Sequence, residues 1–465
     1  MFCATPLIAC ARAESAPYDV VIANGRVMDP ASGLDAVRSL GIRGGTIETI
    51  SEESLEGTRV IDATGLVVAP GFVDLHEHGQ QEESYAMMVR DGVTSAFELE
   101  AGTADVAKWY ADREGGQIVN FGVSVGHIPA RMRVLGDPSD GKDILPSGIG
   151  GTGSATEAQV AEMEAILHSG LAEGAVAVGM GSAYTPGAPM AELERMFRVA
   201  AQEGASAHIH MRNGVAGLDS TLAAASAAGA KLHVVHVNSS AGDDLPTFLT
   251  RLTAARDSGR DVTTEAYPYG AGMTSIQSAL FDDWEKWGDE RIAQHQLVST
   301  GDRLDRRGFA RARKEGGTVI IHGRSEEQTR AAIVSPLTMI ASDGFIVNGR
   351  GHPRTSGSFA KVLGRYVRDE SGIPLMEALR KMTIEPARRL EARVPDMARK
   401  GRIGEGSHAD LTLFDPATVI DRATYEDATL ASAGIPYVLV NGVVVVDKGA
   451  VTAARPGRGV RAPTS

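Results

Sequence analysis

Gly71-Phe72-Val73-Asp74-Leu75-His76-Glu77-His78 is the stretch on which the reading of this chain turns. It continues the apolar run Leu66–Val73 and ends in two histidines at alternate positions. Alternate residues leaving a strand point to one side of a sheet, so His76 and His78 can share a cation. On its own such a pair describes no more than two satisfied histidines at a strand end. Here other ligand types end later apolar runs: His210, His236, and Asp343 within Ser342-Asp343-Gly344. Imidazoles completed by a late aspartate are what a hydrolase needs to make water nucleophilic at neutral pH.

Outward from that stretch, the middle of the chain alternates apolar runs with amphipathic helical patterns, the mark of successive βα units. Strands are expected to end near Leu75, Leu99, Val125, Met180, Ile209, Val237, Tyr267 and Ala341. Thr156 heads a helix with Val160, Met163 and Leu167 on one face and Gly170 as its stop. Leu193, Met196, Phe197 and Ala200 repeat the spacing before Gly204. The fold expected is therefore α/β, a closed (β/α)8 barrel over residues 71–400. Barrel enzymes place their chemistry at the C-terminal ends of the strands, where His76, His78, His210, His236 and Asp343 fall. Phe281–Thr318, with Trp284, Trp287 and dense charge, breaks the rhythm. It reads as an excursion (about 281–335) before the last strand, either a lid over the site or a solvated surface insertion.

Short β-type runs occupy both ends: Tyr18–Asn24, Ser39–Ile42, Thr46–Ile50 and Leu66–Val68, then Ala409–Phe414, Tyr437–Val440 and Val443–Val446. Residues 18–70 and 401–460 are thus expected to meet in a small β-sandwich-like domain, with the barrel inserted between them. The composition, 43% apolar and 23% charged, is that of a globular protein. A net charge of −13 argues against a nucleic-acid partner, and no apolar run reaches the roughly 20 residues that span a bilayer. Cys3 and Cys10 are the two cysteines, which excludes a disulfide framework and a cysteine ligand in the body of the chain. Residues 1–17 read as signal-like or disordered: Ala11-Arg12-Ala13 resembles a signal-peptidase site and Leu7-Ile8-Ala9-Cys10 a lipobox, without a basic n-region. Export to the periplasm is the location this suggests, a cytoplasmic one the alternative; a homo-oligomer stays open.

Within the middle, Phe97-Glu98-Leu99-Glu100 puts two carboxylates on one face of a strand. Buried glutamates are costly without a cation, so Glu100 is expected as the bridging or second-site ligand, with Glu98 the alternative. His210 lies nearer its strand's exit than His208. His233 and His236 have opposite parity, so one alone should face inward, and His236 is preferred. Asp343 is expected both to touch the metal and to act as general base, a helix N-cap being the plain alternative. His127, Tyr184, Arg212, Tyr267, His352 and Arg354 are the candidate substrate contacts. Arg212 or Arg354 would suit an acidic end of the substrate, because a guanidinium matches a carboxylate. Gly148-Ile149-Gly150-Gly151-Thr152-Gly153 is no nucleotide loop, since no strand leads into it and no P-loop lysine follows; a flexible turn is expected there.

With these residues in place, the chain resembles the amidohydrolase superfamily over nearly its whole length, and within it the D-aminoacylase (N-acyl-D-amino-acid deacylase) family. The resemblance rests on residues 70–79 (PGFVDLHEHG), 92–102 (GVTSAFELEAG), 125–131 (VGHIPAR), 179–187 (GMGSAYTPG), 210–213 (HMRN), 266–274 (AYPYGAGMT) and 341–344 (ASDG). It extends through residues 352–368, 382–390 and 434–445. It implies a zinc-dependent barrel with one or two ions, a small β domain from both termini, and hydrolysis of small N-acyl-D-amino acids. A cyclic-amide hydrolase of the dihydroorotase or hydantoinase kind, a dipeptidase, or a silent binding relative are the alternatives. Two departures stand out. Glu100-Ala101-Gly102 occupies the place of an Asn-Cys-Gly sequence, and Asn238 that of a lysine expected to hold the substrate carboxylate.

Overall fold

The computed structural model describes residues 17–464. The export-type segment expected at the N-terminus lies outside them. Eight parallel strands make the central sheet: Phe72–Asp74, Val93–Thr103, Asn120–Gly126, Val178–Gly181, Ser206–His210, Lys231–Val234, Val262–Ala266 and Thr338–Ile340. Neighbours in this sequence order are hydrogen-bonded throughout, giving a nearly closed barrel. The eighth strand meets the first through a different device. Asp74 Oδ1 accepts from the backbone N–H of both His76 and Ser342, each at 3.1 Å. Just beyond, Asp343 N–H donates to the His76 carbonyl (2.6 Å) and His78 N–H to that of Gly344 (3.1 Å).

The helices that clothe the barrel follow the apolar spacing of the sequence. In Met190–Gln202, the side chains of Leu193, Met196, Phe197 and Ala200 are fully buried, and each of the large ones contributes about 1.5–3 kcal/mol. Glu157–Ala172 begins with a capping box between Thr156 and Gln159. This helix runs through Gly170 instead of stopping there. A Cβ at that position would lie 2.5 Å from Val125 Cγ2, so the glycine permits close helix–strand contact. The sixth strand ends at Val234, earlier than expected, because His236 takes a left-handed conformation with φ 32°.

Both ends of the chain contribute to one mixed sheet of nine strands. Tyr18–Asp29 pairs with Leu34–Arg43 on one edge. On its other edge it pairs first with Gly57–Asp62 and then with Val67–Pro70. Val67–Pro70 in turn pairs with Leu411–Phe414, which leads to Tyr437–Val440 and Val443–Asp447. Ile22, Val27, Leu40, Ile42, Leu411 and Leu439 fill its core.

The excursion before the eighth strand opens earlier than its composition suggested, at Gly272. Gly272–Ser275, Thr318–Ile321 and His295–Leu297 form an antiparallel sheet. Helix Arg306–Glu315 packs on it through Phe309, which meets Phe281 and Trp284 with ring centroids 5.9 and 5.2 Å apart. Among the described residues, no helix is long and apolar enough to cross a membrane.

Candidate metal centre

His76 and His78 leave the first strand on the same side, as their spacing requires. His76 Nδ1 donates to Glu265 Oε1 at 2.5 Å, and His78 Nδ1 donates to Glu98 Oε2 at 2.6 Å. These two bonds fix the tautomers and leave both Nε2 lone pairs aimed inward. The two Nε2 atoms are 3.2 Å apart. Glu100 Oε2 lies 2.6 Å from that of His76, and Asp343 Oδ1 lies 3.5 and 3.4 Å from those of His76 and His78. Glu100 also faces the other way, its Oε1 2.9 Å from His210 Nδ1. His236 Nε2 stands 3.1 Å from that same nitrogen and 3.7 Å from Glu100 Oε2. Ligand atoms therefore gather in two groups, His76–His78–Glu100–Asp343 and Glu100–His210–His236, each within 4.8 Å and with Glu100 common to both.

The chemistry of this donor set fits divalent cations. Imidazole lone pairs do not converge at such distances unless positive charge lies between them. Burial opposes a charge on His76, yet Asp343, Glu265 and Glu100 outweigh it and push the imidazole well above the usual histidine range. The surroundings thus call for a cation where the nitrogens meet. Nitrogen and carboxylate oxygen together suit zinc and its neighbours in the first transition row. Burial would raise the Asp343 carboxyl, but Arg354, His76, His78 and His236 hold it down at about 2. Arg354 is the largest of these influences and acts from 2.8 Å, between Nη1 and Oδ2. Asp343 adopts φ 52° and His236 φ 32°, strained backbone of the kind that accumulates at functional sites.

Glu98, the alternative ligand, serves differently. Its Oε1 accepts the backbone N–H of Ala101 (3.0 Å) and its Oε2 is committed to His78 and Gln80. Glu265 escaped the sequence reading altogether. It sits mid-barrel, holds His76 through Oε1, and accepts from His233 Nε2 at 2.7 Å through Oε2. His233 therefore faces inward as well as His236, contrary to the parity expected. The strand has ended by residue 234, and the left-handed turn at His236 resets the direction of its side chain. His208 is also interior, stacked on His233 with centroids 4.5 Å apart.

Two cavities open over the ligands. One, of about 520 Å³, reaches His78, Glu100 and Asp343; the other, of about 620 Å³, reaches His210, His236, Asp343 and Arg354. Tyr184, Met273, Thr274 and Asp343 line both. Tyr267 and Arg212 line the second. Arg212 donates to the carbonyls of Pro186 (3.2 Å) and Ala188 (2.7 Å) and has no carboxylate partner. Two of the six expected contacts lie elsewhere. His127 is turned to Glu192, 2.8 Å from its Nε2, because Glu192 also pairs with the buried Arg131 beneath the third strand's helix. His352 accepts the backbone N–H of Arg354 at 3.1 Å and packs edge-on against Tyr269 and Tyr425. Neither lines either of these two cavities. The glycine-rich segment is also more ordered than a flexible turn. Asp137 Oδ2 accepts from Gly148 and Gly150 N–H, and Ile149–Thr152 makes a helical turn.

Residues 139–446 match the pattern described as the amidohydrolase family. An N-acyl-D-glutamate deacylase from Alcaligenes xylosoxydans xylosoxydans is 32% identical, over 96% of this chain and 97% of its own. The chain belongs to the amidohydrolase family. A D-aminoacylase from the same organism is 29% identical to this amidohydrolase, over 96% of this chain and 98% of that one. Among solved structures, the N-acyl-D-glutamate deacylase of Bordetella bronchiseptica superposes with a TM-score of 0.83 at 27% identity. The match covers 96% of this chain and all of that one, which was crystallised with zinc and a phosphonate mimic of the tetrahedral intermediate. The chain is accordingly a metal-dependent hydrolase acting on linear amides.

Proposed function

We propose that this amidohydrolase removes the acyl group from N-acyl-D-amino acids, with zinc at the two ligand groups and Asp343 as the group that moves the proton. The position of Asp343 carries the reading: one carboxylate oxygen lies beside the paired Nε2 atoms while the residue lines both cavities. Cations held by His76, His78, Glu100 and Asp343, and by Glu100, His210 and His236, would supply the Lewis acidity that ionises water near neutral pH and polarises the carbonyl. The side chains then do the rest.

Arg354 holds Asp343 Oδ2 and so turns Oδ1 toward the paired imidazoles, where the carboxylate would take a proton from water and hand it to the departing nitrogen. Thr274 donates to the Tyr184 hydroxyl at 3.2 Å, which leaves the phenolic proton available to a developing oxyanion. The larger cavity carries Arg212, Arg291 and Arg354, with Asp343 as its one acidic lining residue. Its charge suits the α-carboxylate of an amino acid, and the absence of a lysine at Asn238 is offset there. Asn238 instead donates to the Tyr267 carbonyl at 2.9 Å.

Zinc-loaded enzyme offered matched N-acyl-D- and N-acyl-L-amino acids, with release of free amine followed, tests this. Turnover confined to the D series is expected. Opening of hydantoins or dihydroorotate in place of it would overturn the proposal.

A further inference from the structure

The two cavities differ in a way that bears on the acyl half of the substrate. The larger is arginine-lined. Outside the ligand groups the smaller offers a carboxylate no arginine, only Lys142 beside Asp143. Beside the polar Gln81, Thr274, Ser275 and Thr318, the rest of its wall holds an apolar group, Ile144, Leu145, Phe345 and Val347 together with Met273. Large apolar side chains left exposed are costly to a monomer's surface and mark binding sites when they cluster at a cavity. Of the eight exposed in the described residues, Ile144 (37%) and Val347 (47%) both stand on this one chamber. The space of about 520 Å³ is that of a pocket for a drug-sized ligand. An acetyl group of three heavy atoms would leave most of it to water.

We infer that this chamber receives the acyl chain, and that the enzyme selects D-amino acids carrying medium-length fatty acyl groups, about six to ten carbons, over N-acetyl substrates. The inference rests on the deacylase reading and deepens it. Tyr184 and Thr274, hydrogen-bonded to each other on the boundary of the two cavities, divide the acyl side from the amino-acid side. The scissile carbonyl then lies above Glu100 and Asp343. Ile144 and Val347 come from loops after different strands, so the chamber's reach is set by residues outside the ligand cluster.

The test is a chain-length series, acetyl to decanoyl, on one D-amino acid with zinc-loaded enzyme. Each buried methylene is worth about fourfold; with a half-open chamber, kcat/KM is expected to rise at least about 30-fold from acetyl to octanoyl. In the Ile144→Asp, Val347→Asp double variant, the octanoyl-to-acetyl ratio should fall at least tenfold with Tm unchanged, since both side chains are solvent-exposed. Calorimetric titration with the neutral amides octanamide and acetamide gives a reading independent of turnover, octanamide binding the tighter in wild type alone. A flat or falling series with D-specific turnover overturns the acyl chamber and spares the deacylase reading. No turnover of any D substrate overturns both.

Discussion

The terminal sheet and the barrel mouth are built by opposite rules. In the sheet, apolar side chains gather into a core, and positive φ falls on turn or bulge residues such as Asn24 and Asn441. At the mouth, buried charges crowd together and positive φ falls on His236 and Asp343, members of the candidate ligand groups. One region is organised for stability, the other for holding positive charge. The contrast implies that substitutions at the mouth act on chemistry and those in the sheet on folding.

The severest test is Asp343→Asn, which should lower kcat by about a thousandfold while zinc content stays near wild type. Single-turnover assays with metal analysis check this, and a variant with near-normal turnover would refute the assignment. Leu411→Ala, fully buried in the sheet, should cost about 2–5 kcal/mol in denaturant unfolding with no change in metal content per folded molecule. Loss of metal without loss of stability would break the contrast. Glu265→Gln removes the charge behind His76; metal affinity should fall about 10–100-fold by competition with a chelator.

A pH effect concerns Asp91, just before the start of the second barrel strand and away from the mouth. Its carboxylate accepts from Phe359 and Ala360 N–H and from Ser432 Oγ. Burial nevertheless pushes it up to about 7 from an ordinary 3.8. The folded state thus holds more protons than the unfolded chain between about pH 4 and 7, and stability falls as pH rises through that window. The slope is at most about 1.4 kcal/mol per pH unit. Stability measured at pH 5 and pH 8 should differ in wild type, and the difference should shrink in Asp91→Asn.

The contrast also governs what the sequence revealed. Period-two and helical spacing obey packing rules, so the barrel strands, the terminal sheet and the His76–His78 pair were legible. Glu98 and Glu100 have the same parity, and the choice between them depends on the turn at Ala101–Gly102, whose N–H groups claim Glu98. His233 misled because strand parity fails once the backbone turns left-handed at His236. Glu265 was missed although the argument applied to Glu100, a carboxylate buried in an apolar strand needing a cation, holds for it equally. His127 and His352 lie on segments whose paths depend on distant partners, Glu192 and Tyr425, which no local pattern announces.

The ring of strands is hydrogen-bonded everywhere except between its last stave and its first, and that gap is spanned by Asp74 and by the backbone around His76 and Asp343. His76 and His78 stand on one side of the gap, Asp343 on the other. A cation bound between them would act as the clasp of the barrel, and stripping it should loosen the hoop at the place proposed for the reaction.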